Sequence, residues 1–173
     1  MVKDIVALPN PKIRNVSVDV TAFGPELRQL ILNLIQTSQV QVDPPALGMA
    51  APQINVFKRV FVAKVRNKFK PFVNPKIIRK SQKETALMEG CFSVTGLYGQ
   101  VIRQSEIDVQ YQDIHGKKVT TKLKGLPAKI FQHELDHLNG ILFIDHVDNQ
   151  NGKMFRSKKN RQGKEEFIEV EIK

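Results

Sequence analysis

His133-Glu134-Leu135-Asp136-His137 places two imidazoles four residues apart, with a carboxylate directly after the first. On a helix, residues i and i+4 lie one above the other on a single face. Both rings can then reach one cation at ~2.0–2.1 Å. Glu134 stands where a general base can take a proton from water activated by that cation and pass it on, the arrangement of metal-dependent hydrolases. A catalytic site of this kind needs a third protein ligand and an open position. Candidates for that ligand are Cys91, His115, His146 or a carboxylate. His115 falls in an expected hairpin turn, and His146 lies nine residues past His137, off that helix. Cys91 sits in Glu89-Gly90-Cys91-Phe92-Ser93, where the glycine permits an unusual backbone path. A lone cysteine by itself reads as a small buried hydrophobe. Beside a two-histidine helix the balance moves toward thiolate ligation.

The helix that must carry the histidines runs from about Leu126 to Asn139, with Pro127 early and Gly140 as its stop. A second helix spans Gly24 to Thr37. Pro25 suits its first position, and Leu27, Leu30, Ile31, Leu34 and Ile35 form one apolar stripe. Gln39 to Pro45 is a polar loop, followed by the small-residue run Leu47-Gly48-Met49-Ala50-Ala51-Pro52-Gln53, which lets a backbone approach a ligand closely. Arg59 to Val65 reads as a strand, and Phe72 to Ile78 as a short extended piece. A hairpin is expected between Val101 and Leu123, turning at Asp113 to Gly116. Phe167 to Ile172 alternates like an edge strand. Strands dominate around two clear helices, so the fold class is α+β rather than a βαβ repeat.

The chain has 173 residues, 41% hydrophobic and 25% charged, and reads as one domain over 1–173, with residues 150–173 a basic extension. The single cysteine excludes an intrachain disulfide and fits a reducing cytosol. The N-terminus lacks signal-peptide features, and no run reaches the ~18 apolar residues of a membrane span. A cytoplasmic protein with no membrane partner is expected. The net charge of +10 favours polyanionic surroundings or simply serves solubility.

Three motifs in order resemble the peptide deformylases: Leu47 to Gln53, Glu89 to Ser93, and Gln132 to Leu138 continuing into Asn139-Gly140. The likeness extends from the N-terminal segment to about Val147. It implies antiparallel β-sheets packed around a central metal-binding helix, plus an N-terminal helix. The implied reaction removes the N-formyl group from the formyl-methionine of newly synthesised polypeptides, releasing formate. Cys91, His133 and His137 would hold one divalent metal, typically Fe²⁺, with Ni²⁺, Co²⁺ or Zn²⁺ as replacements. Glu134 would serve as general base and then acid for a metal-bound hydroxide. The Gln53 side chain and the Phe92 backbone N–H would stabilise the oxyanion. Leu47 and Gly48 would line the peptide cleft, and Leu126 and Ile130 the methionine pocket. Asp136 would pair with Arg103 to fix the helix against the sheet. The protein is expected to be a monomer.

Three positions depart from the family pattern. Ala46 and Asn55 stand where glycine is common, and Thr95 replaces a frequent proline. Asparagine tolerates the left-handed conformation. A methyl at Ala46 would narrow the cleft or restrict its loop, and Thr95 would loosen its own loop. Lys153, Arg156, Lys158, Lys159, Arg161 and Lys164 form a basic run, either a solvated face or a contact to the ribosome. Two readings compete with deformylation. A general metallopeptidase would use the same helix, usually with a carboxylate or histidine as third ligand. A structural metal site in a nucleic-acid-binding module would have four protein ligands, often several cysteines.

Overall fold

Gly24 and Pro25 open helix α1 (Pro25–Gln39), whose stripe buries Leu27, Ile31 and Leu34 and half-buries Leu30 and Ile35. The computed structural model describes residues 1–159 and 165–170. Strand β1 (Gly48–Ala50) follows, then a 3-10 turn at Ala51–Ile54 that ends on Asn55 at φ 60°, the left-handed conformation expected there. Strands β2 (Val60–Val65) and β3 (Lys68–Lys80) come next. The extended piece expected around Phe72 to Ile78 is therefore a 13-residue strand. Its register shifts between Val73 and Lys76 and between Ile77 and Arg79, which hid its length from a period-2 reading.

Strands β4 (Glu84–Cys91) and β5 (Val94–Gln104) pair across a tight turn. Val101 belongs to β5, so the expected hairpin starts later, as β6 (Glu106–Gln112) and β7 (Lys118–Lys124). Helix α2 (Leu126–Leu138) carries the histidines, and Gly140 follows at φ 72°. The sequence suggests two clear helices, but the structure adds a third, α3 (Phe143–Asn149). Only Phe143 and Val147 of its seven residues are buried, too few to show a helical period. Strands β8 (Met154–Lys159) and β9 (Glu165–Val170) close the chain. The basic run is thus partly strand, while Arg161 and Lys164 lie outside the described residues, as do Glu171 and Ile172 of the expected edge strand.

Among the described residues the named strands pair antiparallel, in two sheets ordered β1-β2-β3-β6-β7 and β4-β5-β8-β9. Strand β9 lies at the edge of its sheet. Strand β2 is buried on both faces: Val60 and Val62 pack toward α1, and Phe61 and Ala63 toward α2. That explains its unbroken apolar run. Helix α2 docks on the five-stranded sheet through Phe131, whose ring meets Phe61 at 5.1 Å and Phe72 at 5.3 Å, both edge-to-face. On the other sheet, Val94 and Val101 pack against Phe143 and Val147 of α3. The result is an α+β fold with antiparallel sheets around the histidine-bearing helix. Among the described residues no helix is long and apolar enough to cross a membrane.

Candidate active site

Helix α2 begins after Gly125, at φ 61°, with Pro127 in its first turn, and buries Ala128, Phe131 and Leu138 in the core. That anchoring fixes the rotation of the helix and aims the opposite residues at the second sheet. The rings of His133 and His137 lie 5.1 Å apart on that side. Cys91, at the end of β4, meets them: one donor atom each from Cys91, His133 and His137 falls within 4.8 Å of the others. The Cys91 Sγ to His137 Nε2 distance is 3.2 Å. His115 stays in its exposed turn beside Asp113. His146 turns away to Asp136, its Nε2 2.8 Å from Oδ2. Among the described residues, Cys91 is the one candidate for third ligand that joins the two histidines.

Burial works to raise the Cys91 thiol, but the adjacent His137 and His133 imidazoles bring it well below its usual value. A thiolate with two imidazoles suits Zn²⁺, Fe²⁺, Co²⁺ or Ni²⁺ far better than the hard, oxygen-seeking Mg²⁺ or Ca²⁺. His133 is oriented by Glu89, whose Oε2 lies 2.9 Å from Nδ1. Its Nε2 is thereby left to face the cluster. The donor set and its orientation thus fit a transition-metal ion.

Behind the cluster runs a buried chain of charges. Arg103, 4% exposed, donates to Glu89 at 2.5 and 2.9 Å and to Asp136 at 2.7 Å. Burial pushes the Glu89 carboxyl up, but His133 and Arg103 hold it down to about 2. The expected Asp136–Arg103 pair is present, and it continues to Glu89 on one side and His146 on the other. Sequence reasoning gave Glu89 no role and weighed His146 only as a third ligand, not as a partner of Asp136. Glu89 was within reach, because residues two apart on a strand share a face and it precedes Cys91 by two. His146 carried no local signal.

Glu134 is buried, and its Oε2 has no hydrogen-bond partner among the described residues. Burial raises its carboxyl to about 7 against the opposing pull of His133 and His137. Gln53 is also buried. Its Oε1 accepts from the Ala50 N–H at 2.9 Å, which aims the amide nitrogen at Ser93 Oγ, 3.2 Å away, and Cys91 Sγ, 3.5 Å away. These side chains border a cleft of about 440 Å³. Leu47, Gly48, Gln53, Phe92, Leu126, Ile130, His133 and Glu134, all singled out in the sequence, line it. Leu87 and Lys129 line it too and were not anticipated. The Lys129 ammonium donates to the Thr85 and Ala86 carbonyls, tying α2 to β4. Ala46 is buried and lies outside the cleft lining, so its methyl does not narrow the cleft. Thr95 Oγ1 donates to the Phe92 carbonyl at 3.4 Å, within the turn after Cys91.

The polypeptide deformylase family model matches residues 2–153. A peptide deformylase of Cellvibrio japonicus is 39% identical over 163 residues, covering 92% of this chain and 95% of the relative. The crystal structure of the Thermotoga maritima peptide deformylase superposes with a TM-score of 0.80 at 34% identity, covering 84% of this chain and 97% of that one. The Acinetobacter baumannii enzyme with Met-Ala-Ser bound gives 0.77 at 31% identity, covering 85% and 99%. The chain therefore belongs to the polypeptide deformylase family, enzymes that remove the N-formyl group from nascent peptides.

Proposed function

We propose that this chain deformylates the formyl-methionine of new polypeptides in the cleft beside α2, and that the reaction depends on a divalent cation held by Cys91, His133 and His137. The observation that supports this most is the convergence of those three donor atoms next to a buried, unpartnered Glu134 oxygen. A cation bound there polarises the formyl carbonyl and lowers the pKa of water toward ~7. Fe²⁺ is the expected ion, with Ni²⁺, Co²⁺ or Zn²⁺ as substitutes.

Glu134 takes one proton from the attacking water and returns it to the amide nitrogen as the C–N bond breaks. Formate and a free α-amino group result. In the metal-free site burial raises this carboxyl to about 7, and a bound cation would draw it down toward the form that accepts a proton. The Gln53 amide is anchored through its Oε1, which accepts from the Ala50 N–H at 2.9 Å, and its nitrogen faces Ser93 and Cys91, from where it donates to the oxyanion. The Phe92 backbone N–H is its partner, following the ligand Cys91 by one residue. Leu47 and Gly48 hold the peptide, and Leu126 and Ile130 receive the methionine side chain. The Arg103–Asp136 pair keeps α2 seated. The Met-Ala-Ser bound by the Acinetobacter relative is the kind of peptide such a reaction leaves behind.

A thiolate ligand suits a reducing cytosol. Residues 1–173 are read as one catalytic domain acting as a monomer, and the basic residues around β8 as a ribosome contact. Formate release from formyl-Met-Ala-Ser tests the central reading. Wild-type protein loaded with Fe²⁺ or Ni²⁺ releases formate, Glu134→Gln does not, and Cys91→Ala loses its metal. Cleavage of internal peptide bonds instead, or full metal content in Cys91→Ala, would favour a general metallopeptidase.

A further inference from the structure

Strand β4 borders the cleft and forms one edge of its sheet. Its residues alternate: Glu89 is buried toward α2, while Met88, 42% exposed, and Gly90 face outward. Directly opposed residues of an antiparallel pair share a face. Gly90 opposes Tyr98, Tyr98 opposes Phe155, and Ser157 opposes Phe167. Met88, Tyr98, Phe155 and Phe167 therefore stand on one outer face. The Tyr98 ring lies on Gly90, where a β-carbon would come within 2.6 Å of it. On its other side Phe167 meets it edge-to-face at 4.9 Å. Phe167 is 46% exposed, so this aromatic contact is not core packing. Met88 and Tyr98 also line the cleft, which makes the strip continuous with it. Phe167 comes from a strand beyond the region matched by the family model.

We propose that this outer strip binds the substrate polypeptide downstream of its formyl-methionine and selects apolar or aromatic side chains there. The inference rests on the deformylation reading. A chain held by its first residue beside His133 must leave through the cleft mouth, where Met88 and Tyr98 stand. From β4 to β9 is three strand spacings, roughly 14 Å at ~4.8 Å each, which an extended chain at ~3.3 Å per residue crosses in about four residues. Residues after the third thus reach the far end of the strip at Phe167, and a tripeptide stops short of it.

The test compares two heptapeptides, formyl-Met-Ala-Ser followed by Phe-Leu-Phe-Ser or by four serines, with formyl-Met-Ala-Ser as reference. The wild-type protein is expected to favour the aromatic peptide at least fivefold in kcat/KM, through KM. Tyr98→Ala and Phe167→Ser are each expected to bring that ratio within twofold of one. The ratio is taken within each variant, so a general loss of activity cancels. A wild-type ratio near one, or a ratio unchanged in both variants, would overturn the proposal. So would a concentration-dependent dimer in sedimentation that Phe167→Ser dissolves, since the strip would then join two copies. No formate from the tripeptide itself would sink the deformylation reading, and this one with it.

Discussion

Gly48 and Glu134 lie so close that a β-carbon on Gly48 would stand 2.4 Å from Oε1 of Glu134. Strand β1 thus presses its backbone against the carboxylate proposed as the base. Gly48→Ala must displace that carboxylate or the strand. The expected result is a fall in kcat of about 10–100-fold, part of the ~10²–10⁴ that a positioned base contributes. Steady-state kinetics alongside metal content checks it: an unchanged kcat would show that Glu134 can move aside freely.

The raised Glu134 carboxyl carries a stability signature in metal-free protein. Its folded value of about 7 lies above the ordinary 4.5, so between those limits the folded state binds more protons than the unfolded state. Stability is therefore lost as pH rises from about 4.5 through about 7. Glu134→Gln removes the charge that burial penalises. Chelator-treated Glu134→Gln should be more stable than chelator-treated wild type at pH 8, by on the order of 2–3 kcal/mol, and the gain should vanish near pH 4. Urea unfolding at both pH values reads the difference.

Arg103 bridges β5 to α2 by holding Glu89 and Asp136 at once. Removing it leaves two buried carboxylates with only the His133 and His146 imidazoles beside them. Arg103→Met should cost about 3–5 kcal/mol by urea unfolding. Arg103→Lys should recover little of it, because an ammonium cannot reproduce the two-pronged contact to Glu89.

Metal removal tests the cluster without reference to turnover. A ligand at a thousand times its Kd adds about 4.1 kcal/mol of stability. Chelated wild-type protein should regain several degrees of Tm on adding Ni²⁺ or Zn²⁺ but not Mg²⁺. Cys91→Ala should respond far less to any of them. An equal response in that variant would mean that the thiolate is not a ligand.

The Phe61–Phe72–Phe131 cluster shows why some of this was legible early. The apolar residues of α2 that join it, and the stripe of α1, follow a helical period that can be counted along the chain. The β6–β7 hairpin was legible for the same reason, since alternation and a short turn are local. Strands β4 and β5 were not, because Glu84 to Cys91 lacks a β-branched alternation and takes its register from β5. Helix α3 was too short to declare itself.

The site divides along the same line. The sequence alone determined that His133 and His137 share a helix face with Glu134 beside them, because hydrogen bonds between i and i+4 set that geometry within one segment. Three motifs in order were enough to suggest the family. Only the tertiary structure decided which third residue joined the histidines, that Glu89 orients His133, and that His146 belongs to Asp136. Those contacts span up to 46 residues and arise from strand pairing and from α2 docking on two sheets, which no local period encodes.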